Sequence, residues 1–142
     1  MLASRTSWGF RWHFVVHNAL GRPALTVEVK NRAGADEQWA KEFWAKFGPG
    51  VVGTSMLLVS RDRAFWWAPG AGLDQAPTRT MQTTDLLKQH LTNIPYVDEV
   101  VLTVAVGFWL EDVISGSPAI EASTRTDLGL DALVGGTIYH ST

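Results

Sequence analysis

The sequence contains no cysteine, which removes disulfides, thiolate nucleophiles and thiolate zinc sites, and which suits a reducing compartment. It is also sparing with charge: 18% of residues are Asp, Glu, Lys or Arg, 12 basic against 14 acidic, for a formal net charge of −2. No general attraction for nucleic acid follows from that balance, although a local basic patch can sit within it. Uninterrupted apolar runs are missing as well. The longest apolar segment, Val97 to Ile114, is broken by Asp98, Glu99, Glu111 and Asp112 and fails as a membrane span. Met1 to Phe10 mixes Arg5 with Ser and Thr residues and lacks the sustained apolar core of a secretory signal. The expectation is a soluble, cytoplasmic protein with no membrane partner.

Several catalytic signatures are absent too. Ser4, Ser7, Ser55 and Ser60 show no nucleophile-elbow pattern, so a serine hydrolase is not indicated. The segment Gly50-Val51-Val52-Gly53-Thr54-Ser55 lacks the lysine of a phosphate loop and precedes a strand instead of a helix. His90 and His140 are too far apart to suggest a zinc site. Internal repeats and low-complexity tracts are not found.

What remains is an ordinary globular composition, 46% hydrophobic over 142 residues, enough for the core of one domain spanning 1–142. Phe10, Trp12, Phe14 and Val16 alternate with Arg11, His13, Val15 and His17, the period of a strand from Gly9 to His17. Turn residues Asn18 to Pro23 lead directly into Leu25-Thr26-Val27-Glu28-Val29-Lys30-Asn31, so an antiparallel hairpin with His13 opposite Glu28 is expected. Acids lead and Lys46 closes the stretch Asp36 to Phe47, with Trp39, Phe43 and Phe47 as an apolar stripe, predicting a helix. Gly48-Pro49-Gly50 stops it, and Ser55–Ser60 with Ala64–Trp67 predicts a second hairpin. Ala68 to Pro77, rich in Pro, Gly and Ala, is the best candidate for a flexible connection between an early strand-rich part and a later helical part. A short helix over Thr84–Leu91, a long one over Val97–Ser115, a helical turn over Asp131–Val134 and a terminal strand at Thr137–Tyr139 complete the reading. The long helix is apolar beyond one stripe, which predicts burial on most sides or a homodimer contact. Seven tryptophans are assigned to packing ahead of base stacking. The fold class is α+β, a central mixed sheet flanked by helices.

One strand carries chemistry. Alternation puts Glu28 and Lys30 on the same side of it and Val27 and Val29 on the other. A carboxylate can hold a hard divalent cation while a neighbouring ammonium orients the attacking water and offsets charge on a phosphate, the requirements of metal-assisted phosphodiester hydrolysis.

The hairpin, Val27-Glu28-Val29-Lys30-Asn31, the tryptophan-bearing helix and Leu57-Leu58-Val59-Ser60-Arg61-Asp62-Arg63-Ala64-Phe65-Trp66-Trp67 together resemble the PD-(D/E)XK restriction-endonuclease-like superfamily, in particular its small prokaryotic members. The resemblance implies a restriction-endonuclease-like core, DNA as partner, Mg²⁺ or Mn²⁺ as cofactor, Glu28 as metal ligand and Lys30 as the group that orients or activates water. Members commonly carry an Asp on the preceding strand, often after a proline; here that place is held by Trp12-His13, and no aspartate lies between Met1 and Glu28. Three explanations stand side by side: a degenerate site, an altered metal site assisted by His13 or His17, or a substitute carboxylate from Asp36, Glu37 or Glu42. An imidazole ligand at His13 suits Mn²⁺ better than Mg²⁺. The superfamily fold often begins with a helix, for which little sequence precedes Phe10, so an N-terminally abbreviated domain is expected. Arg11 and Arg32 near the hairpin are nucleic-acid-binding candidates. Lys41 joins them, sharing much of a helix face with Gln38, where some members place an auxiliary polar residue.

Overall fold

The computed structural model describes residues 13–51, 53–94 and 96–140. Six strands form one mixed sheet: β1 (Phe14–His17), β2 (Pro23–Val29), β3 (Ser55–Val59), β4 (Arg63–Trp67), β5 (Arg79–Gln82) and β6 (Thr137–His140), in the order β5-β4-β3-β2-β1-β6. Among the described residues only β2 and β3 run parallel, and every other neighbouring pair is antiparallel. Parallel neighbours need a crossover, and here it is helix α1 (Glu37–Phe47). The other α-helical segments are α2 (Thr83–Leu86), α3 (Lys88–Leu91), α4 (Glu99–Ser115) and α5 (Ala122–Asp127), and single 3-10 turns cover Gly48–Val51 and Leu130–Leu133.

Side-chain alternation sorts the core into two layers. Phe14 and Val16 of β1, Leu25, Val27 and Val29 of β2, and Leu57 and Val59 of β3 point to one face. There they meet Leu102, Ala105, Val106, Trp109 and Leu110 of α4. The intervening residues Met56 and Leu58, with Phe65 and Trp67 of β4, meet Ala40, Phe43 and Trp44 of α1 on the other face. Covered on both sides, β3 is buried along its whole length, which explains its unbroken apolar run. Asp36 caps α1 by accepting from Trp39 N at 2.9 Å. Asp98 caps α4 in the same way, accepting from Val101 N at 2.9 Å. Gly116 ends α4 in the left-handed conformation at φ 69°, which a side chain would disfavour.

The expected first hairpin, the helix after Asp36 and the second hairpin are all present; that the helix is a crossover between parallel strands comes from the structure. Of the predicted first strand, the structure describes Phe14–His17 as extended, and Gly9 to Trp12 lie outside the described residues. Two expectations need correction. Ala68 to Pro77 does not part a strand-rich unit from a helical one, because β5 follows it and pairs back onto β4. The single helix expected over Thr84–Leu91 is two four-residue segments meeting at Leu87. Buried Leu87 has φ −107° and ψ 19°, outside the helical region. The terminal strand is present and pairs with β1, extending the sheet beyond the hairpin.

Candidate functional site

Glu28 sits near the C-terminal end of β2, flanked by β1 on one side and opposite Leu58 of β3 on the other. Alternation aims its side chain to the face that α1 covers, and it is 1% exposed. A carboxylate so placed is costly unless its lone pairs are taken up. They are. Oε1 accepts from the His13 backbone N–H at 3.1 Å and lies 2.6 Å from His13 Nδ1. Oε2 lies 3.3 Å from Lys30 Nζ, on the same face of β2. Glu28, Lys30 and His13, assigned to the site from sequence, are therefore brought together.

The short Nδ1–Oε1 contact fixes the imidazole tautomer. Val29 N–H also points at Nδ1, at 3.2 Å, and Nδ1 cannot both donate and accept through one position. At 2.6 Å from a carboxylate, a proton on Nδ1 is the arrangement that gives a charge-assisted bond, so the Val29 contact is the weaker claim. Nε2 is then the ring's other, basic nitrogen, and it makes no hydrogen bond among the described residues. The hydrogen bond to Glu28 is the main influence raising the His13 pKa above its ordinary 6.5; partial burial opposes it, the Glu28 and Glu99 charges reinforce it, and Lys30 opposes it.

The donors do not assemble a divalent-cation site. Among the described residues no group of three His, Asp or Glu side chains converges as metal ligands. The facing atoms of the expected pair, His13 Nδ1 and Glu28 Oε1, are engaged with each other, and an ammonium lies beside the remaining oxygen. Mg²⁺ in particular demands near-octahedral oxygen coordination, which one carboxylate engaged by an imidazole and an ammonium does not begin to build. Of the substitute carboxylates considered, Asp36 caps α1, Glu42 accepts from Gln38 Nε2 at 3.0 Å and Glu37 is exposed.

The nucleic-acid-binding candidates part company. Arg32 lies just beyond β2, two residues after Lys30, its Cζ 5.3 Å from the centre of the Trp39 ring. Lys41 is exposed on α1. Arg11 lies outside the described residues. His17 is drawn to the β1–β2 turn, Nδ1 lying 3.1 Å from the Gly21 carbonyl, and His90 pairs with Asp112 at 2.8 Å, so neither joins Glu28. Sequence reasoning did not single out Asn31, whose Oδ1 accepts from Arg61 Nε at 3.1 Å. Finding it would have required the parallel register that sets Val29 beside Val59, which no local pattern encodes.

Comparison of the chain with protein-family models, with curated proteins and with solved structures gives no match.

Proposed function

We propose that this chain is a nuclease-like domain of the PD-(D/E)XK type that acts on DNA phosphodiesters at Glu28, His13 and Lys30. The observation that carries the reading is a carboxylate 1% exposed in the middle of a sheet, bonded through one oxygen to His13 at 2.6 Å and facing Lys30 at 3.3 Å through the other. A core made only for stability is better served by an apolar residue there, and coupled titratable groups of this kind concentrate at functional sites. The hairpin followed by a crossover helix and a parallel strand supports the fold side of the reading, as a restriction-endonuclease-like core that presents the Glu-x-Lys strand at its centre. A cytoplasmic setting goes with DNA as substrate.

The chemistry follows from the tautomer. With Nδ1–H held by Glu28, neutral His13 offers a lone pair at Nε2 that takes a proton from water as the water oxygen bonds to phosphorus. Lys30 offsets the charge gathering on the phosphoryl oxygens, the bond from phosphorus to the leaving oxygen breaks, and that oxygen is protonated by solvent. No step is assigned to a metal, because the described donors do not complete a Mg²⁺ or Mn²⁺ site.

The test is cleavage of plasmid and single-stranded DNA with Mn²⁺, with Mg²⁺ and with EDTA, by wild type, Glu28→Ala and Lys30→Ala. Wild type is expected to cut, and each variant to lose about a hundredfold or more. Equal cutting by all three proteins sinks the reading. A second reading, a noncatalytic descendant that binds nucleic acid or assembles with protein, is favoured by the incomplete donor set and by the exposed apolar stripe Val100, Val104 and Phe108 on α4. DNA binding without cutting in any of the three conditions decides for it.

A further inference from the structure

We propose that Arg61, with Arg32 beside it, forms a second anion site that holds a backbone phosphate of the nucleic acid next to the Glu28 centre. This rests on the nucleic-acid reading of that centre. Arg61 is exposed but is not a loose surface residue. It lies in the tight turn between β3 and β4, where Ser60 N–H and Ser60 Oγ both donate to the Arg63 carbonyl, at 2.9 and 2.6 Å. Buried Thr83 braces the same turn from behind, its Oγ1 donating to the Ser60 carbonyl at 2.8 Å and its N–H to the Asp62 carbonyl at 3.1 Å. From the front, Asp62 Oδ2 accepts from Gly34 N at 3.0 Å, tying the turn to the loop after β2. Both neighbours of Arg61 are thus fixed.

The guanidinium is aimed as well as anchored. Asn31 Oδ1 accepts from Arg61 Nε at 3.1 Å, leaving the Nη1 and Nη2 edge with no hydrogen bond among the described residues. Neither Arg61 nor Arg32 has a carboxylate partner among the described residues. Asp62, the acid nearest in sequence, is instead turned to the Gly34 amide. A fixed planar fork without a counter-ion matches two phosphate oxygens, and its preorganisation lowers the entropy lost when they bind. The place is right too. Asn31 follows Lys30 directly, and Lys30 N–H donates to the Val59 carbonyl at 2.9 Å, so the chain positions of Lys30, Asn31 and Arg61 lie where the two parallel strands end. Arg32, stacked over Trp39, adds a second cation along the same edge. A chain carrying a net charge of −2 needs such local concentration to hold a polyanion.

Fluorescence anisotropy in EDTA tests this, using labelled single-stranded and duplex oligonucleotides of about 20 nucleotides, long enough to span a binding site. Arg61→Ala and Arg32→Ala are each expected to bind about tenfold more weakly at low salt. The slope of log affinity against log salt should also fall by about 0.7 to 0.9 per lost phosphate contact, a change that a merely structural role would not produce. Arg61→Lys should recover part of the affinity, and Arg79→Ala, paired with Asp127 at the far edge of the sheet, should bind as wild type. Unaltered affinity and slope in both alanine variants overturn the proposal, as does a wild type that binds neither oligonucleotide. Should wild type cut DNA while Arg61→Ala and Arg32→Ala bind normally, the phosphate site fails and the nuclease reading survives. The reverse holds if binding follows these predictions and nothing is cut.

Discussion

The pairing of His13 with a buried carboxylate has a consequence that can be measured without any substrate. Folding moves His13 into the grip of Glu28 and raises its pKa above 6.5, so the folded chain binds a proton more tightly than the unfolded one. Stability from this contact is therefore fully present below the unfolded value of about 6.5 and is lost as pH rises through the higher folded value. Thermal melts taken from pH 5 to 9 should show wild type losing stability across that upper window. His13→Gln, which cannot titrate, should give a flatter profile there, and matching profiles for the two proteins would exclude the pairing. The same linkage sets the direction for catalysis. A general base works when neutral, so cutting should increase with pH through an inflection above 6.5.

At the scale of elements, the sheet depends on a close approach at its end. A Cβ built on Gly136 would lie 2.2 Å from the His17 carbonyl oxygen and 2.9 Å from that of Leu133. Both are backbone atoms, so Gly136→Ala must push the chain entering β6 away from β1. A loss on the order of 1–3 kcal/mol is expected in urea unfolding, against no appreciable loss for Gly50→Ala, where nothing lies within 4 Å of the added carbon. Much of this architecture was legible because burial and period coincide. The alternation of Phe14 and Val16 with their neighbours, and the acid-first pattern from Asp36 to Phe47, each report one covered face. What escaped notice had no such signal. Strand β5 is largely exposed and is held by pairing to β4, while α5 has no buried residue at all. The site divides the same way: Glu28 and Lys30 show in the strand pattern and His13 in the hairpin register. The Arg61–Asn31 contact depends on two strands brought side by side by a crossover.

For the molecule as a whole, the long helix decides what else can be in contact with it. Its strongly apolar sequence predicted burial on most sides or a homodimer. Leu102, Ala105, Val106, Trp109, Leu110 and Val113 do face the sheet, but Val100, Val104 and Phe108 remain 50–70% exposed along the opposite face. A second copy related by a two-fold axis would bring the same stripe to itself, the simplest self-complementary contact. Three side chains on one helix cover far less than the ~800 Å² per partner of a stable interface, so the association should be weak and concentration-dependent. Sedimentation equilibrium from micromolar to near-millimolar protein is expected to show a rising average mass. Val104→Glu, a half-exposed position where folding should change by no more than about 0.5 kcal/mol, is expected to hold the chain monomeric by setting like charges against each other across the axis. A wild type that stays monomeric throughout that range would remove self-association as the reason for the stripe, and with it the assembly half of the noncatalytic reading.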